Sequence, residues 1–93
     1  MYVGVQHRIN DGETAFARGE ALLKGEGAPS GVRVREFYPS QDRSAATCLW
    51  EADSLDAVRQ YVESTLGDSS ENTYFEIDAQ NALGLPETAS ASV

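Results

Sequence analysis

Along Tyr2–Ile9 apolar and polar positions alternate: Val3, Val5, His7 and Ile9 share one parity, and Tyr2, Gly4, Gln6 and Arg8 the other. A period of two is that of a strand with one face turned to a core. Asn10 stands three residues before Glu13, which reads as a capping box, and Ala15, Phe16, Gly19, Leu22 and Leu23 then recur at helical spacing up to Lys24 and Gly25. Gly19 costs that helix about 1 kcal/mol relative to alanine, so close packing or a frayed end is expected there. Residues 25–31 carry three glycines and a proline, a loop composition, and Val32, Val34, Phe37 and Tyr38 form a second extended stretch ending at Pro39. A turn at 39–42 leads into a third strand over 44–51, so strands two and three are expected to form a hairpin.

Asp53 or Ser54 is placed to cap a second helix, in which Leu55, Val58, Val62 and Leu66 follow helical spacing and Gly67 marks the stop. Thr73, Phe75 and Ile77 alternate with Tyr74, Glu76 and Asp78 in a fourth strand. Residues 79–84 are expected to make a single helical turn, and 87–93, small and polar, a disordered tail. The order is βαββαβ, a single α+β ferredoxin-like domain over 1–86. Right-handed crossovers put two helices on one face of a four-stranded antiparallel sheet and leave the other face open. Tyr2, Trp50 and Tyr74 are expected on that open face, where a second copy would cover them.

Composition narrows the function classes. A chain of 93 residues builds one core rather than two. Hydrophobic residues at 41% and charged residues at 24% fit a globular protein. Seven Lys and Arg against fifteen Asp and Glu leave a net charge of −8, which repels phosphate backbones and anionic lipid, so neither nucleic acid nor membrane is an expected partner. Cys48 is the single cysteine, which excludes an intrachain disulfide and a thiolate-built zinc site and fits a cytoplasmic, reducing location. There is no phosphate-binding glycine loop, serine elbow or H-E-x-x-H signature.

The segments Cys48-Leu49-Trp50-Glu51-Ala52-Asp53-Ser54, Asn72-Thr73-Tyr74-Phe75-Glu76-Ile77-Asp78 and Gly84-Leu85-Pro86 together resemble small bacterial proteins of the dimeric α/β-barrel superfamily, over about residues 2 to 86. The resemblance implies a homodimer whose two sheets close a barrel. It implies no single activity, because that superfamily includes cofactor-free monooxygenases, lactone isomerases, haem-dependent enzymes and a nickel-binding group. The nickel-binding relatives rely on histidine ligands, and here His7 stands alone beside Gln6. No metal and no cofactor are therefore expected.

Each candidate site residue has an ordinary structural role beside its chemical one. His7, the only histidine, titrates near neutrality and is a candidate base, against a strand-end histidine satisfied by a backbone group. Cys48 is a candidate nucleophile, but no basic residue stands near it in sequence to favour a thiolate, so a buried small hydrophobe is expected. Trp50 is read as a pocket wall or as dimer-core packing. Tyr74 and Glu76 share a face, where phenol and carboxylate can orient a ligand and move a proton, or form a polar edge. Tyr38 and Arg35 are weaker candidates on an edge strand. Asp11, Glu13, Asp53, Asp56, Asp68 and Glu71 sit at helix starts or in loops, where they serve structure. The leading expectation is a homodimer that binds a small organic ligand through Trp50, Tyr74, Glu76 and His7. The alternatives are a cofactor-free monooxygenase or isomerase for an aromatic or polyketide-like substrate, with His7 or Glu76 as base, and a structural or regulatory interaction module.

Overall fold

The computed structural model describes residues 1–86 and contains β1 (Tyr2–Ile9), α1 (Gly12–Lys24), β2 (Arg33–Pro39), β3 (Ala45–Glu51), α2 (Leu55–Leu66) and β4 (Ser70–Glu76). A short 3-10 turn, Gly67–Ser69, joins α2 to β4. The strands form one antiparallel sheet in the order β2-β3-β1-β4, with the two helices packed on it. This is the ferredoxin-like βαββαβ arrangement. The expected tail, 87–93, lies outside the described residues.

Local chemistry explains the element ends. Asp11, one residue later than the expected cap, closes α1: its carboxylate accepts from the Thr14 backbone N–H at 3.1 Å and from the Thr14 hydroxyl at 2.8 Å. Gly25 ends the helix at φ 72°, a left-handed conformation that glycine adopts without a Cβ penalty. Ser54, not Asp53, caps α2 by accepting from the Ala57 N–H. β4 begins at Ser70, three residues before the alternation at Thr73 announces it, because the polar stretch 70–72 pairs with His7, Arg8 and Ile9 at the far end of β1. The segment after β4 makes a turn, with Asn81 N–H bonded to the Asp78 carbonyl at 3.2 Å, and no helix.

The register assigns the faces. Val3 pairs with Trp50, and Val5 with Cys48 and Tyr74, so all of these point toward the helices. Trp50 and Tyr74 therefore belong to the helix side of the sheet, contrary to the expectation that they decorate the open face. Trp50 is 1% exposed and meets Tyr61 of α2 edge to face at 5.8 Å between ring centroids. With Val3, Val5, Val58 and Val62 it forms the centre of the core. The open face carries a different row, in which Phe75, Gly4 and Leu49 lie side by side across β4, β1 and β3. The Phe75 ring lies directly over Gly4, so closely that a Cβ there would collide with it. Phe75 is still 48% exposed.

Candidate functional site

On the helix side, the row Asn72–His7–Ala46 crosses the sheet next to the row Tyr74–Val5–Cys48. His7 and Cys48 are thus diagonal neighbours on adjacent strands, 41 residues apart in sequence. His7 Nε2 stands 3.3 Å from Cys48 Sγ, and His7 Nδ1 stands 2.6 Å from Asn72 Oδ1.

The surrounding network assigns the imidazole protons. Asn72 donates from its amide nitrogen to Glu63 Oε2 at 2.8 Å, which turns its carbonyl oxygen toward His7; the Ser70 hydroxyl donates to the same oxygen at 2.9 Å. A carbonyl oxygen only accepts, so His7 Nδ1 carries the hydrogen and Nε2 presents a bare lone pair to Cys48, accepting from the thiol. Tyr74 donates its hydroxyl to Glu63 Oε2 at 2.6 Å, and the Arg59 guanidinium lies over the Tyr74 ring at 5.6 Å. A continuous chain of hydrogen bonds runs from the buried thiol through His7 and Asn72 to a carboxylate and phenol at the surface of α2 and β4.

Electrostatics keep the His7–Cys48 pair neutral at rest. Burial lowers the His7 pKa below its ordinary value, against smaller opposing effects of the Asn72 hydrogen bond and the Glu63 charge. Burial pushes the Cys48 thiol up to about 12, with a small offset from the Trp50 indole N–H. That N–H lies near the sulfur, yet no acceptor meets hydrogen-bond geometry at Trp50 Nε1. It is an orphaned donor in a residue otherwise wholly buried.

His7, Cys48 and Trp50 all line a cavity of about 60 Å³ between the sheet and α1, walled by Phe16, Gly19, Leu22 and Leu66 among others. Its lining is almost entirely apolar, and it reaches the surface beside the exposed Leu23. Of the expected ligand contacts, His7 and Trp50 meet in this cavity. Tyr74 does not line it but holds Glu63, and Glu76 is exposed at the end of the sheet. Arg35 pairs with Glu51 at 2.5 Å, and Tyr38 is exposed on the edge strand. Asn72 and Glu63 were not among the residues the sequence singled out, since only the β1–β4 register places Asn72 beside His7.

No protein-family model matches the chain, and neither does any curated protein. Among solved structures, that of Rv0793 from Mycobacterium tuberculosis is similar at a TM-score of 0.47 and 16% sequence identity, covering 95% of this chain and 97% of that one. Among the described residues, no three His, Cys, Asp or Glu side chains converge as a metal site would need, and no helix is long and apolar enough to cross a membrane.

Proposed function

We propose that the protein binds a small, largely apolar organic molecule with one polar group in the cavity between α1 and the sheet. The observation that carries this reading is an apolar cavity bordered at one place by the hydrogen-bonded pair His7–Cys48. A volume of 60 Å³ corresponds to about two waters of bulk liquid, enough to enclose about two or three heavy atoms of an organic molecule. Cavities known to admit benzene measure about 150 Å³, which supports small-molecule binding over chemistry on an aromatic substrate within one protomer.

Gly19 supports the same reading. It lies inside α1 without needing a positive φ, and a Cβ at this position would meet only Leu66 Cδ2, at an ordinary 3.9 Å. Alanine there should raise stability by about 0.5–1 kcal/mol, so the glycine costs stability while keeping the cavity wide. Thermal melts test both points. Millimolar small ketones and alcohols should raise the wild-type melting temperature. Gly19→Ala should raise it without ligand, by about 2–8 °C, and shrink the further rise with ligand. No ligand-dependent shift in the wild type would contradict the proposal.

We further infer a homodimer paired through the open sheet face, as in the dimeric α/β-barrel superfamily that the chain resembles. Phe75, exposed over Gly4 at the centre of that face, is the supporting observation. Sedimentation equilibrium should give twice the single-chain mass, and Phe75→Glu should halve it. A wild-type monomer at high micromolar concentration would refute the pairing.

A further inference from the structure

One cation of this acidic chain stands apart from every carboxylate. Of the seven Lys and Arg side chains, Arg8, Arg18, Lys24, Arg33, Arg35 and Arg59 each pair with an Asp or Glu. Arg43 is the exception among the described residues, in a chain with fifteen Asp and Glu. Its exposed guanidinium lies instead over the Phe16 ring, 5.0 Å from the centroid. Phe16 and Phe37, half-buried and edge to face at 6.4 Å, wall the cavity where it nears the surface between α1 and β2. We propose that the ligand of this cavity is a short-chain monocarboxylate, its hydrocarbon end inside and its carboxylate held by the Arg43 guanidinium at the mouth. This rests on the binding role proposed above and names the ligand's polar group.

The turn between β2 and β3 holds Arg43 in place at a conformational cost. Its φ of 62° lies in the left-handed region, where a side chain is strained and glycine is not. The neighbouring carboxylate is committed elsewhere: Asp42 Oδ1 accepts from the Ser40 hydroxyl at 2.9 Å, the Ser44 N–H at 3.0 Å and the Ser44 hydroxyl at 2.7 Å. The Ser40 N–H donates to the Ala45 carbonyl at 2.8 Å, and the Ile9 N–H to the Ser44 carbonyl at 2.9 Å, which fastens the turn to the end of β1. Ile9 and Ala46, on either side of this fastening, both line the cavity.

Size and charge select the ligand class. The 60 Å³ cavity encloses about two or three heavy atoms, which matches the propyl chain of butanoate and leaves its carboxylate outside. An ionised carboxylate against the apolar lining would be heavily penalised, whereas at the mouth it keeps water on one side and meets a guanidinium on the other. The planar guanidinium offers paired N–H donors that match the two carboxylate oxygens. The net charge of −8 repels an anion from the rest of the surface.

Butanoate and its uncharged isostere butanamide, titrated into the folded protein and followed by NMR, test the assignment. Butanoate should move the Ala15 and Ala46 methyl signals and the Arg43 Nε–H signal along one saturation curve, and bind about ten-fold more tightly than butanamide. Arg43→Gln should bring butanoate down to the affinity of butanamide and leave butanamide unchanged. Arg43→Gly, which suits the positive φ, should do the same and keeps the test available if glutamine disturbs the turn. Equal wild-type affinity for the two compounds, or butanoate affinity unchanged in both variants, would overturn carboxylate capture and leave the binding role standing. Butanoate shifts confined to Arg43, with butanamide still moving the cavity methyls, would overturn it in the same way. Cavity methyls unmoved by either compound would defeat carboxylate capture and the binding role together.

Discussion

Trp50→Ala should cost about 3–5 kcal/mol of folding free energy, measured by urea denaturation followed by circular dichroism. A domain of this size has on the order of 5–15 kcal/mol to lose, so the variant should be largely unfolded well below the wild-type melting temperature. The size of the effect follows from position. Trp50 is 1% exposed, stands edge to face on Tyr61, and ties β3 to α2 across the middle of the core. Had it lain on the uncovered sheet face, the same truncation in a monomer would cost well under half as much. The experiment therefore tests the register of β3 against β1 as well as the packing of one side chain.

The second large effect is a loss of stability at alkaline pH that belongs to Cys48. Its folded pKa is raised to about 12 from an ordinary value of 9.0. The unfolded thiol therefore ionises first and the folded state keeps its proton. The stabilising contribution is complete below pH 9 and is lost as pH rises toward 12, at about 1.4 kcal/mol per pH unit once the unfolded thiol is ionised. Tyr61 and Tyr74, also raised, join the loss only above their ordinary value of 10.0, so the window from pH 9 to 10 isolates the thiol. Cys48→Ala should flatten the stability curve in that window, and an unchanged slope would remove the assignment. His7 acts on the other side. Its lowered pKa means that the unfolded state takes up a proton first as pH falls below about 6.5, so stability declines there, and His7→Gln should soften the decline.

Much of the fold is legible in the chain because several elements carry two agreeing signals. The alternation over Tyr2–Ile9 and the spacing of Leu55, Val58, Val62 and Leu66 each coincide with a capping or stop residue at their ends. The discrepancies have specific causes. Asn10 and Asp11 are both competent caps, and Asp11 prevails because Thr14 offers its carboxylate two donors. β4 starts early because Ser70, Glu71 and Asn72 are polar, and backbone pairing to β1 rather than hydrophobicity holds them in the sheet.

The faces of the sheet expose a deeper limit. Alternation says which residues of one strand lie together, but not whether they face helix or solvent; only the pairing of Val3 with Trp50 and of Val5 with Tyr74 answers that. The candidate site was half legible for the same reason. His7, Cys48 and Trp50 stand out as rare residue types. Their convergence, and the roles of Asn72 and Glu63, exist only through cross-strand register and the approach of α2 to β4.

The most direct test of a ligand cavity at His7 and Cys48 is a titration of methyl-labelled protein with propan-2-one, followed by NMR. Saturable shifts should be confined to the methyl groups of Ala15, Leu22, Ala46 and Leu66 and to the His7 ring, with Leu49 on the opposite face unmoved. Shifts centred on Leu49 and the Phe75 ring, or no saturable shift anywhere, would contradict the account.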